Sequence, residues 1–226
     1  MRKLVFLIGI IIFASGCASA PKKDYTKFNS ANLHSILIVP VVNRSVNVDA
    51  PNYFLSTISI PVAEHGYYVF PVHMVKRILE DDGLSDADLV HSSSTEKLAS
   101  LFGADAVLYI DIKRWDAKYI LLSTTVTVEL KYTIRDGKTG DVLWEDVRPV
   151  QYSSSSNSGG GSLAGLLVMA VNAAIEKAAP NYMPLAKQAN AMAFTFPGPG
   201  IPPGPYLRKE DKIDQSQKKE TAAANK

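Results

Sequence analysis

The chain has 226 residues, 46% of them hydrophobic and 9% aromatic, with 24 basic against 22 acidic side chains. That is the composition of a globular domain long enough to build a proper core. Arg2 and Lys3 are the only charges in residues 1–16, so the formal net charge of +2 falls to 2 − 2 = 0 beyond them, which excludes any general electrostatic claim on nucleic acid.

Behind that basic start an uncharged apolar run extends from Leu4 to Ala14, and the small residues Ser15, Gly16 and Cys17 follow. Basic start, short apolar core and small-residue end are the three parts of a secretory signal peptide. The run falls short of the ~20 residues that a helix needs to span a bilayer. Cys17 is the only cysteine, and Ala14-Ser15-Gly16-Cys17 resembles the bacterial lipobox, with Ala14 where Leu is commonest. The lipobox implies cleavage between Gly16 and Cys17, diacylation (palmitate-type) of Cys17 and N-acylation of the new terminus. The competing reading is a plain signal peptide cut near Ala18-Ser19-Ala20. Three acyl chains would hold firmly to lipid, at ~0.8 kcal/mol per buried CH₂. With Cys17 lipidated, no thiol remains for a disulfide, a zinc site or a nucleophile. Ala18 follows Cys17, where enteric bacteria place Asp to retain a lipoprotein in the inner membrane. The expected location is therefore the outer membrane, with the domain facing the periplasm.

Residues 17–32 read as a lipidated terminus and polar tether, able to reach ~50 Å if fully extended. A domain is expected over 33–196. Ile36–Val39 is a continuous apolar run, suited to a strand covered on both faces, and Pro40 should end its pairing. Residues 50–65 have helical period, with Tyr53, Phe54, Ile58, Pro61 and Val62 on one stripe and Pro61 predicting a kink or break. Gly66 stops that helix, a short strand follows at Tyr67–Phe70, and a second helix spans 72–82 with Val72, Val75, Ile78 and Leu79 inward. Ser94-Thr95-Glu96 starts a third helix that ends at Gly103.

From there the period is two. Ala106–Ile112 is a strand, and in Thr124–Ile134 Val126, Val128, Leu130, Tyr132 and Ile134 alternate with polar residues. Asp136–Gly140 turns the chain and Val142–Tyr152 returns it as an antiparallel hairpin. Ser153–Gly161 is a flexible loop, Leu163–Ala179 an apolar Ala-rich helix, and Met183–Ala193 a last helix. Pro and Gly dominate 197–205, so 197–226 is expected to be a disordered tail. The predicted fold class is α/β (α+β), a single domain with a mixed sheet, one antiparallel hairpin and helices packed on it. Its core should include Ile36, Ile38, Val107, Tyr109, Val126, Val128, Leu130 and Trp144.

Nothing in this order of residues requires catalysis, a metal or a cofactor. His34, His65, His73 and His91 are scattered, with no pair at ligand spacing. Gly159–Gly161 precedes a helix without the Lys-Ser/Thr of a phosphate-binding loop, and "GKT" at 137–139 lies in a hairpin turn. Glu80-Asp81-Asp82 reads as a solvated helix end, with a weak cation site as the alternative. Gly165, Ala170, Ala173 and Ala174 would let the 163–179 helix approach its own sheet or another subunit closely.

The stretches "ILIVPVVNRS", "DAPNYFLSTISIPVAEHGYYVFPV", "LASLFGADAVLYIDIKRW" and "IRDGKTGDVLWE" resemble a family of Gram-negative lipoproteins known as domain of unknown function 799, which includes a meningococcal surface-antigen candidate. Pro61–Pro71 is the most specific piece. The pattern is more loosely similar to the curli-secretion channel lipoprotein and to the N-terminal domain of the Tol-system β-propeller protein. The resemblance implies a periplasm-facing accessory or structural subunit in envelope assembly or export, with envelope lipoprotein partners or copies of itself, and transfers no site but Cys17. A periplasmic ligand-binding protein or hydrolase is the alternative.

Overall fold

A computed structural model describes residues 23–120, 123–153, 182–195 and 200–207. Cys17, Gly159–Gly161, the 163–179 segment and residues 208–226 lie outside them.

The described chain begins with a short helix, α1 (Thr26–Ser30), then strands β1 (Ser35–Ile38) and β2 (Val42–Asn43), helix α2 (Ala50–Glu64) and strand β3 (Tyr68–Val69). Helices α3 (Val72–Asp81), α4 (Ala87–Ser92) and α5 (Thr95–Phe102) precede the long strands β4 (Ala106–Ile120), β5 (Ser123–Asp136) and β6 (Val142–Ser153), and helix α6 (Met183–Phe194) follows. The strands form one mixed sheet in the order β3-β1-β4-β5-β6. β1 is parallel to β3 and β4, while β4–β5 and β5–β6 are antiparallel. Pro40 interrupts β1, and β2 resumes the parallel pairing with β4 at Asp111 and Ile112. This is the expected α/β class with a mixed sheet.

The sheet is covered unequally. On one face α2, α6 and α1 bury Phe54, Leu55, Ile58, Leu185, Phe194 and Phe28 against Ile36, Ile38, Leu108, Ile110, Val128, Leu130, Tyr132 and Trp144. On the other face α3, α4 and α5 bury Val75, Leu79, Val90 and Leu98 against Leu37, Val39, Val107 and Tyr109. All eight expected core residues are buried, but Val107 and Tyr109 belong to this second layer, so helices flank the β1–β4 half on both sides.

Local chemistry sets the boundaries. Asp86 caps α4 by accepting from Leu89 N–H, Ser94 caps α5 by accepting from Lys97 N–H, and Gly103 ends α5 in the left-handed region at φ +68°. Pro61 does not break its helix. α2 runs through it to Glu64, held by Phe54, Leu55, Ile58 and Val62 at 0–2% exposure around the lost backbone hydrogen bond. The inward stripes also need correction. Tyr53 and Ile78 are both substantially exposed, while Leu55 and Thr57 are buried instead.

The two ends of the domain differ most from expectation. The domain reaches into the expected tether, because Lys23, Tyr25 and Phe28 already lie on it, Phe28 fully in the core. The domain also extends past 196: residues 200–207 pack on it, with Ile201 buried and a short helical turn at 205–207. Phe28 sits inside a polar stretch and Ile201 inside a Pro/Gly run, so composition alone assigned them to tether and tail.

Candidate functional site

The described chain begins at Lys23, on the β6 edge of the sheet. Lys23 Nζ lies 3.3 Å from Asp146 Oδ1 on β6 and 4.6 Å over the ring of Trp144. Arg148 Nε donates to the other oxygen of Asp146, closing a half-buried cluster of two cations on one carboxylate. Tyr25 donates its hydroxyl to the Gly200 carbonyl, and burial, then the Asp146 charge, raises its pKa. Phe28 meets Tyr67 edge to face at 6.4 Å.

The 200–207 segment forms a strap over this end. His65 Nε2 hydrogen-bonds the Ile201 carbonyl at 2.8 Å and Tyr67 donates to the Pro202 carbonyl at 2.7 Å. Gly204 N–H donates to the His65 carbonyl and Tyr206 N–H to the Gly66 carbonyl. The backbones approach so closely that a Cβ on Gly204 would stand 2.0 Å from the Gly66 oxygen. Gly66 itself has φ +90°, a conformation that side chains resist. Strap and N-terminal segment therefore share Tyr25, His65–Tyr67 and Gly200–Tyr206, and tie both ends of the domain together.

The other residues singled out in the sequence stay apart. His34 stands 4.0 Å from Asp105, His65 is under the strap, His73 is exposed on α3, and His91 bonds the Pro40 carbonyl at 2.9 Å with its ring edge-on to Tyr109. Glu80 and Asp81 pair with Lys76 and Arg77 one turn earlier, as a solvated helix end does. Among the described residues no group of three or more His, Cys, Asp or Glu side chains is placed to hold a metal ion, and no helix is long and apolar enough to cross a membrane.

Two polar knots went unrecognised in the sequence. Asp105 accepts from His34 N–H, Ser35 N–H and Ser35 Oγ at 2.9–3.0 Å, and its own carbonyl accepts from Gly137 N–H. Burial pushes its carboxyl up, but those donors outweigh it and hold the pKa below the usual value. Asp105 thus joins the start of β1, the start of β4 and the hairpin turn. Gly137 is needed there, since a Cβ would meet the Asp105 oxygen at 2.7 Å. In the core Tyr132 donates to Asn190 Oδ1 at 2.7 Å, and Asn190 Nδ2 to Thr57 Oγ1 at 2.9 Å, with all three buried. The chain of donors is satisfied link by link, as burial demands. Burial drives the Tyr132 pKa well up, so it is a neutral donor.

Two histidines contribute to the pH dependence of stability between pH 8 and 5. Burial lowers the pKa of His65 and of His91, against the opposing carbonyl bonds. Unfolded histidine, near 6.5, then binds more protons than the folded form below that pH. Their contribution is present above about pH 6.5 and is lost as pH falls toward the folded values. Urea unfolding between pH 8 and 5 is expected to show this loss, and His65→Gln with His91→Gln should flatten the slope. An unchanged slope in the double variant would refute the assignment.

Comparison with known proteins converges on one family. The family described as "Putative lipoprotein GNA1162-like" matches residues 23–205. The protein named "Putative lipoprotein NMB1124/NMB1162" of Neisseria meningitidis serogroup B is 35% identical over 173 residues, covering 76% of this chain and 80% of its own. The crystal structure of lipoprotein GNA1162 from Neisseria meningitidis superposes with a TM-score of 0.53 at 34% identity, over 64% of this chain and 99% of that one. PelC from Paraburkholderia phytofirmans, crystallised as a dodecamer, is a distant likeness at 14% identity and a TM-score of 0.42, over 74% of this chain and 95% of that one. The chain belongs to the GNA1162-like lipoprotein family, as the quoted sequence stretches indicated.

Proposed function

We propose that this family member is acylated on Cys17, carried to the outer membrane, and presents its domain to the periplasm as an accessory or structural subunit that binds other envelope proteins during assembly or export. A curli-channel-like lipoprotein or further copies of the chain are the partners implied. The observation that carries the reading is the single cysteine at the end of a signal-peptide-like sequence pattern, six residues ahead of the first residue fixed on a lipoprotein-family domain. The polar side chains gathered in the structure support it, because they serve the fold: Asp105 ties strands, Asn190 bridges helices and sheet, and His65 holds the strap.

Two exposed apolar side chains support the partner reading. Between β2 and α2, Val46 and Val48 stand 95% and 83% exposed on a loop stiffened from within. Asn43 Oδ1 accepts from Ser45 N–H and Oγ, Asn43 Nδ2 donates to the Asn47 carbonyl, and Asn47 Oδ1 accepts from Asp49 N–H. A rigid display of apolar side chains loses little entropy on docking.

Cys17→Ser is expected to abolish palmitate labelling and to release the protein from membranes or leave its signal uncleaved. In a sucrose gradient the unaltered protein should migrate with outer membranes. Labelling that survives the substitution sinks the acylation reading, and migration with inner membranes sinks the location.

A further inference from the structure

We infer that the lipid anchor holds the domain close against the bilayer in one orientation, with the β6 side that carries Lys23 and α1 toward the headgroups and the α3–α5 layer turned away. This rests on acylation of Cys17. The occupant of the β6 side is the bilayer that receives those acyl chains, and covalent length is the argument. Only five residues, 18–22, separate Cys17 from Lys23. Fully extended, that stretch spans about 20 Å, less than half the reach of a free 17–32 tether.

Lys23 is fixed rather than trailing. Its ammonium is bound both to Asp146 and to the Trp144 face, and Tyr25 and Phe28 continue the attachment within five residues. The restraint therefore acts on one side of the domain. Three strand spacings separate β6 from β1, about 14 Å, and α3 lies a further ~10 Å away through the sheet, on the opposite face. A leash of this length attached at β6 cannot bring α3 to the lipid as readily as α1, so orientation follows from the attachment point without any insertion of side chains.

The test uses the acylated full-length chain in phosphatidylethanolamine/phosphatidylglycerol vesicles with acceptor-labelled headgroups. Because lipid occupies Cys17, a dye can be placed on one new thiol at an exposed site, Lys27→Cys on α1 or Met74→Cys on α3. About twofold greater energy transfer is expected from position 27, given that α1 and α3 lie on opposite faces of the sheet, roughly 20 Å apart. A Gly/Ser spacer of about 20 residues between Ala20 and Pro21 should lower transfer from both positions and remove the difference, since such a linker adds roughly 25 Å of mean reach. Vesicle flotation of every variant reports acylation separately. Equal transfer from the two positions in floating protein, or transfer indifferent to the spacer, overturns the orientation while leaving acylation intact. Failure to float overturns the acylation reading, and this inference with it.

Discussion

Val128→Asp is expected to abolish folding. Val128 lies mid-strand in β5, fully buried between β4 and β6 on the face packed by α2 and α6. A carboxylate there would lose its hydration among Leu130, Trp115 and Val150, and the described surroundings offer apolar side chains in place of a cation. The effective penalty for an unpaired buried ion is several kcal/mol, comparable with the whole stability of a domain. Far-ultraviolet circular dichroism and soluble yield would read the result, and a folded Val128→Asp protein with native unfolding midpoint would refute the placement. Thr127 gives the contrast. It points to the other face, where β5 and β6 lie beyond the α3–α5 layer, and alternation suggested full solvation. It is instead 6% exposed. Thr127→Ala should still cost no more than about 1 kcal/mol, because no apolar core is cut open.

How far the sequence could be read depends on which signal each element carries. β5 was legible because five apolar residues alternate with five polar ones, and α5 because Ser94 and Gly103 mark its ends. β4 was read too short. Its alternation fails at Lys113, where one extra residue shifts the pairing from Ile112–Leu130 to Arg114–Glu129. That bulge returns Trp115 to the core face, and the strand continues to Ile120. α1 and α4 were missed since five or six residues cannot display a helical period. Cys17 was singled out by a linear pattern, the small-residue end of an apolar run, and lies outside the described residues. The roles of Asp105, Asn190 and His65 were not legible, because their partners lie 70, 58 and 136 residues away in sequence and only the folded chain brings them together.

Truncation after Phe196 should lower the melting temperature, although composition alone argues for an inert tail. The cut removes Ile201 from its buried site and takes away the carbonyls that Tyr25, His65 and Tyr67 bond. It also uncovers Phe28 and Tyr67, which share that end of the core. Water can re-pair the freed polar groups, so the loss comes chiefly from apolar surface, about 2 kcal/mol for one large side chain. For a domain of this size that corresponds to a fall of roughly 4–8 °C. Truncation after Leu207 keeps the strap and should leave the midpoint where it was. Gly204→Val keeps the full length but drives a side chain into the Gly66 carbonyl 2.0 Å away, and it should reproduce most of the fall seen on cutting at 196. Scanning calorimetry on the three chains separates the possibilities. If cutting at 196 and at 207 shift the midpoint equally, residues 208–226 carry the effect. If neither shifts it, the strap contributes nothing to the fold.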